Sequence, residues 1–92
     1  MKVILTMLKV YSIKDVKVDA FMQPFFLPTD GAALRAFGDE AKNADSNLAK
    51  HPEDYVLYAL GMWDDQLGKL QPFDAPRSLG VASEYVGSGQ AA

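Results

Sequence analysis

The chain's single histidine, His51, stands before Pro52 in a polar stretch, and the chain has no cysteine. A nucleophile–histidine–carboxylate triad would have to use that histidine. No Gly-x-Ser-x-Gly elbow accompanies it, so a solvated or helix-terminal role is expected. No Gly-x-x-x-x-Gly-Lys loop is present to cradle a phosphate. A rolling-circle nicking enzyme sets clustered metal-binding histidines beside a nucleophilic tyrosine, and one histidine does not supply that arrangement. Asp64, Asp65 and Asp74 would bring carboxylates from two hairpin arms toward a divalent cation. Their spacing matches no calcium loop, however, and aspartate is an ordinary turn residue. Glu53-Asp54 beside Pro52 likewise reads as a turn or cap. The expectation is a protein with no catalytic residue, no metal and no cofactor.

Binding chemistry is better represented. Tyr11, Phe21, Phe25, Phe26, Tyr55, Tyr58 and Trp63 are many rings for 92 residues. Single-stranded nucleic acid is held by aromatic platforms interleaved with basic groups. Lys9, Tyr11, Lys14 and Lys17, with Phe25 and Phe26 close in sequence, present that pattern. The competing reading places the same rings in the core and in a subunit interface. Nine basic against twelve acidic residues give a net charge of −3 and a pI near 4.9, against the strongly basic balance of a non-specific nucleic-acid coat. The charge is uneven. Residues 1–35 carry five basic and three acidic groups, and residues 36–92 carry four and nine.

These side chains need elements to hold them. Lys2–Ile13 is rich in β-branched and aromatic types and reads as a strand, most securely over Leu8–Ile13. Asp15–Asp19 is expected to turn. Ala20–Leu27 should be extended, with Pro24 and Pro28 pushing it to a sheet edge or an irregular segment. Thr29 or Asp30 is a suitable N-cap, and Ala33, Leu34, Phe37 and Ala41 repeat at helical spacing, which predicts a helix over about Gly31–Lys42. The polar run Asn43–Asn47 ends it. His51-Pro52 reads as extended chain or a turn. Tyr55–Trp63 is apolar at odd and even positions alike, the pattern of a strand buried on both faces or of a buried helix, and the hairpin signal that follows favours the strand. The cluster Asp64–Gly68 and the alternating run Lys69–Phe73 complete a hairpin. Gly61 marks a bulge or a close backbone approach. Pro76–Gly80 reads as a turn, Val81–Val86 as a short strand or a single helical turn, and Gly87–Ala92 as a flexible tail.

The fold class is therefore α+β: a small antiparallel sheet with one main helix on one face, in the order β, extended, α, β, β, short element. Residues 1–86 form one domain and 87–92 a tail. The composition, 49% apolar and 23% charged, is that of a folded domain. A chain this short buries roughly 60–65% of its unfolded surface and is marginal alone. One helix covers one face of the sheet, so a second copy is expected over the other. That homodimer would pack through Tyr55, Leu57, Tyr58, Leu60, Met62 and Trp63. The apolar run Val3–Leu8 is shorter than the roughly 7 residues of a secretory core or the roughly 20 of a membrane span. The expected compartment is the cytoplasm where the chain is made, with no membrane partner.

Several ungapped blocks carry a resemblance. They include Lys-Val-Tyr-Ser-Ile-x-Asp at 9–15, Gly-Ala-Ala-Leu-Arg-Ala-Phe at 31–37, Pro-Glu-Asp-Tyr at 52–55 and Leu-Gly-x-x-Asp-Asp at 60–65, with Ser-Leu-Gly-Val-Ala-Ser-Glu-Tyr at 78–85. In this order and at this spacing, over about residues 7–86, they resemble the small nonstructural protein of gokushoviruses. These are microviruses with small circular single-stranded DNA genomes. None of the blocks is a catalytic motif. The resemblance implies a non-virion protein in the host bacterial cytoplasm, regarded as the counterpart of the microviral C protein. That protein acts in the switch from duplex replication to the synthesis and packaging of single-stranded genomes. Under a DNA-binding role, Lys9, Lys14, Lys17, Arg35 and Lys42 would meet phosphate, and Tyr11, Phe25 and Phe26 would stack on bases. Dimerisation would double the basic set. The alternative is a non-enzymatic adaptor that binds the viral replication initiator or procapsid without contacting DNA.

Overall fold

A computed structural model describes residues 7–85. Its elements are β1 (Met7–Asp15), β2 (Ala20–Phe21), β3 (Phe25–Leu27), α1 (Asp30–Lys42), α2 (Asn47–Lys50), a 3-10 turn at Pro52–Asp54, β4 (Tyr55–Asp64) and β5 (Lys69–Val81). A helical turn follows at 83–85. All strand pairs are antiparallel: β1 is central, with β2 and β3 on one side and β4 then β5 on the other. The α+β class and the single main helix agree with the sequence reading. The residues before Met7 that were expected to start the first strand, Val86 and the expected tail lie outside the described residues.

Local chemistry accounts for the boundaries. Thr29 is extended, and its hydroxyl accepts a hydrogen bond from the Ala32 N–H at 3.1 Å, satisfying one free donor of the first turn. Asp30 in the first turn and Lys42 in the last complement the helix dipole. Ser46 repeats the cap for α2, accepting from Ala49 N–H while its own hydroxyl donates to the Glu40 carbonyl at 2.6 Å. The polar run read as a plain break therefore leads into a second, very short helix. In the β4–β5 hairpin the Asp64 carboxylate accepts from the N–H groups of Gln66 and Leu67, and Gly68 takes the left-handed conformation that closes the turn.

Two expectations about strands change. Pro76–Gly80 is not a turn, because β5 runs unbroken from Lys69 to Val81. It is an edge strand, where a proline's missing donor can face away from the ladder, and its pairing shifts register twice against β4. The second change concerns β4, which is not buried on both faces. Its burial alternates: Tyr55, Leu57, Ala59 and Gly61 are buried, while Val56, Tyr58, Leu60 and Met62 are half-buried. The core lies between Tyr55, Leu57 and Ala59 of β4 and the helix α1, where Tyr11, Leu57 and Ala59 meet Ala33, Phe37 and Ala41, with Leu48 and Ala82 closing the ends. Each large apolar side chain so buried contributes about 1.5–3 kcal/mol.

The helix is also tied to the sheet by a polar cluster. The Tyr11 hydroxyl donates to Asp30 Oδ1 at 2.7 Å, Lys9 Nζ reaches the same oxygen at 3.4 Å, and Arg77 Nη1 reaches Oδ2 at 3.4 Å. One carboxylate at the start of α1 thus gathers donors from β1 and β5. Burial, and then the Asp30 carboxylate, push the Tyr11 phenol well above its usual pKa. The Tyr11 bond, reinforced by Lys9, holds the Asp30 carboxyl below the ordinary carboxylate range against the opposing effect of partial burial.

Two predictions follow from this packing. A Cβ on Gly61 would sit 2.5 Å from the Gln71 carbonyl oxygen and 2.8 Å from Pro72 Cα, both backbone atoms that yield little. Gly61→Ala should cost about 1–3 kcal/mol in urea unfolding. For Asp30 the folded pKa is depressed. Its contribution is complete above the unfolded carboxylate pKa of about 4 and is lost as pH falls through the lower folded value. Asp30→Asn should flatten the acid limb of a stability–pH curve. Asp30→Ala, which strips the buried Tyr11 hydroxyl of its acceptor, should cost about 1–3 kcal/mol at neutral pH.

Candidate nucleic-acid interface

Residues opposite one another in an antiparallel ladder share a face, and neighbours along a strand take opposite faces. This rule divides the sequence-predicted residues in two. On the helix side of β1 lie Lys9, Tyr11 and Ile13. Phe25 and Leu27 stand opposite Tyr11 and Lys9 across the β1–β3 pair and share that side. On the other face lie Leu8, Val10, Ser12 and Lys14. Their partners are Trp63, Gly61, Tyr58 and Val56 on β4, Phe26 on β3 and Phe21 on β2. Among the described residues, no helix packs against this second face.

The helix-free face carries two edge-on ring pairs. Phe21 meets Tyr58 with centroids 5.4 Å apart, and Phe26 meets Trp63 at 6.0 Å. Phe21 and Phe26 are each 42% exposed. Lys14 Nζ lies 5.5 Å from the Phe21 ring centroid and 2.9 Å from Asp19 Oδ1. The hydrogen bond to Asp19 raises the Lys14 pKa, so its ammonium is charged throughout the physiological range. Between the ring pairs, Val10, Pro24, Leu60, Leu70 and Pro72 line an open groove of about 340 Å³ in which Gln71 is the polar member. The face can stack planar groups and present one cation beside a ring.

Several site expectations are corrected here. Tyr11 is fully buried beneath α1 with its hydroxyl committed to Asp30, so it has no face to offer a base. Phe25 stacks on Tyr11 at 5.9 Å and faces the core. Lys9 points to the helix side and is spent on Asp30. Arg35 and Lys42 are exposed on α1, the layer on the opposite side of the sheet from Lys14, so the five basic residues do not form one patch. Lys14 and Phe26 stand on the open face, and Lys17 is exposed in the adjoining loop. Of the residues expected at a dimer interface, Tyr55 and Leu57 lie under α1 and are withdrawn from any external contact. Tyr58, Leu60, Met62 and Trp63 remain half-buried and accessible.

Sequence reasoning missed Phe21 as a partner of Lys14, and missed Arg77 and Asp30 as a cross-element pair. A two-residue strand leaves no alternation to read, and the Arg77–Asp30 pair joins positions far apart in the chain. The assignment of Tyr58 and Trp63 to an interface placed them on the right surface, without relating them to Phe21 and Phe26. Among the described residues, no group of three or more His, Asp or Glu side chains could hold a metal ion, and no helix is long and apolar enough to cross a membrane.

No curated protein and no solved structure matches the chain. The Phage ORF5 protein family matches residues 8–85, which takes in nearly all of β1, both edges of the sheet, α1 and the final helical turn. The matched span contains both the ring-bearing face and the helix opposite it, and the chain belongs to this family of bacteriophage proteins.

Proposed function

We propose that this phage protein binds single-stranded DNA through the helix-free face of its sheet. We propose further that it acts in the switch from duplex genome replication to single-stranded genome synthesis and packaging, in the host bacterial cytoplasm. The observation that carries the binding half is the solvent exposure of Phe21 and Phe26 on one face, each braced edge-on by a second ring, with the Lys14 ammonium beside Phe21. Unstacked bases bind such platforms because every base has a π-face, whereas paired bases in a duplex keep theirs covered. With one cation on the face, stacking supplies most of the affinity and phosphate contact a smaller part. The genome-switch half rests on the resemblance of the sequence blocks to the gokushovirus nonstructural protein.

A second reading is favoured by a different observation. The groove beside Leu60 is almost wholly apolar, and Leu70, which lines it, is exposed. Such a surface suits a protein partner: a second copy of the chain, the viral replication initiator or the capsid protein.

Fluorescence anisotropy with labelled single-stranded and duplex DNA, at low and physiological salt, separates the two. The expected result is preference for single strands, with quenching of Trp63, the only tryptophan. Phe21→Ala and Phe26→Ala should each weaken binding by about 1–3 kcal/mol, while Arg35→Ala and Lys42→Ala leave it nearly unchanged. Absence of binding to either DNA at tens of micromolar protein overturns this reading and favours the protein-contact one. Size-exclusion chromatography with light scattering and pull-down of the initiator and capsid proteins would then identify the partner.

A further inference from the structure

We propose that Asp19 is a built-in competitor for the phosphate of the bound strand: its carboxylate occupies the Lys14 ammonium in the free protein and is displaced when DNA takes the open face. This inference rests on the single-stranded DNA reading above. Three observations on the β1–β2 loop carry it. The Asp19 and Lys14 side chains meet at 2.9 Å, and Lys14 is 26% exposed whereas Asp19 is 83% exposed. The ammonium is therefore held against the sheet, over the Phe21 ring, while the acid stands out in solvent where an incoming phosphate would replace it. Asp19 also has a left-handed backbone, φ 59°, and is the sole non-glycine residue so placed among the described residues. Glycine or asparagine would serve that position at least as well. The turn therefore calls for a left-handed residue but not for a negative charge. Finally, the loop's other acid has a different role, since Asp15 Oδ1 accepts from the Lys17 N–H and shapes the turn.

Exchange at this point is one anion for another on the same cation. A DNA phosphate arriving at Lys14 brings its base toward Phe21, so the strand gains a stacking contact that the carboxylate does not make. A free phosphate or an acidic protein surface gains no such contact. The Lys14–Asp19 pair thus raises the threshold for any anion and is overcome by one carrying a planar base.

Asp19→Asn keeps a residue suited to the left-handed position and removes the charge, and Asp19→Gly is the second such variant. Anisotropy with a labelled oligothymidine should show about three- to fivefold tighter binding at low salt for both, shrinking toward parity at high salt as exposed charges are screened. In a Lys14→Met background the same Asp19 substitutions should change little, and Asp39→Asn, on the helix layer, should have a much smaller effect than Asp19→Asn. The proposal is overturned if the parent binds and Asp19→Asn does not tighten binding. It is equally overturned if Asp39→Asn tightens it as much, or if the gain persists without Lys14, since either result reduces the effect to net charge. Failure of both the parent and the Asp19 variants to bind, with native circular dichroism, overturns the DNA-binding reading itself.

Discussion

One helix has to serve a sheet that has two faces, and most of the molecule follows from that mismatch. From Tyr55 to Leu60 β4 carries apolar side chains at every position, yet α1 covers only those on one side: Tyr55, Leu57 and Ala59. The polar clamp of Asp30 on Tyr11, Lys9 and Arg77 reinforces that choice, because it joins the first turn of the helix to side chains from β1 and β5. Once the clamp is set, strand alternation dictates the rest. Val10 and Tyr11 are adjacent in sequence and go to opposite faces. So do Phe25 and Phe26. A ring's chemistry in this protein depends less on its type than on its parity relative to Tyr11.

That dependence explains how much of the molecule was legible in the sequence. The helix was, because its cap, its apolar period and its polar terminator agree over a dozen residues. The β4–β5 turn and the irregularity at Gly61 were, because each is specified by a few adjacent residues. The length of β5 was not. Pro72 and Pro76 signal interruption locally, and only its edge position, a tertiary fact, makes an unbroken strand acceptable. The binding candidates were half legible. The lysine–aromatic pattern points to Lys14 and Phe26, which stand on the open face, and equally to Lys9, Tyr11 and Phe25, which face the helix. β2 and β3 are two and three residues long, too short to show a period, and their faces are set by pairing with β1.

Charge is handled in the same economical way. The N-terminal portion has an excess of basic groups, but Asp30 takes up Lys9 and Asp19 takes up Lys14. What remains on the open face is aromatic and aliphatic surface with little net field. A surface of this kind discriminates by the shape and flatness of what it meets rather than by long-range attraction.

The prolines of β5 have a consequence beyond the strand itself. β5 forms the outer edge of the sheet over thirteen residues, long enough to recruit a strand from a neighbouring molecule. Pro72 and Pro76 each remove a donor from that row, and the two register shifts bend it out of line. A continuous ladder therefore does not extend from one molecule to the next. An edge interrupted in this way is a poor template for backbone pairing with a neighbouring molecule, which leaves side-chain surfaces to decide any association.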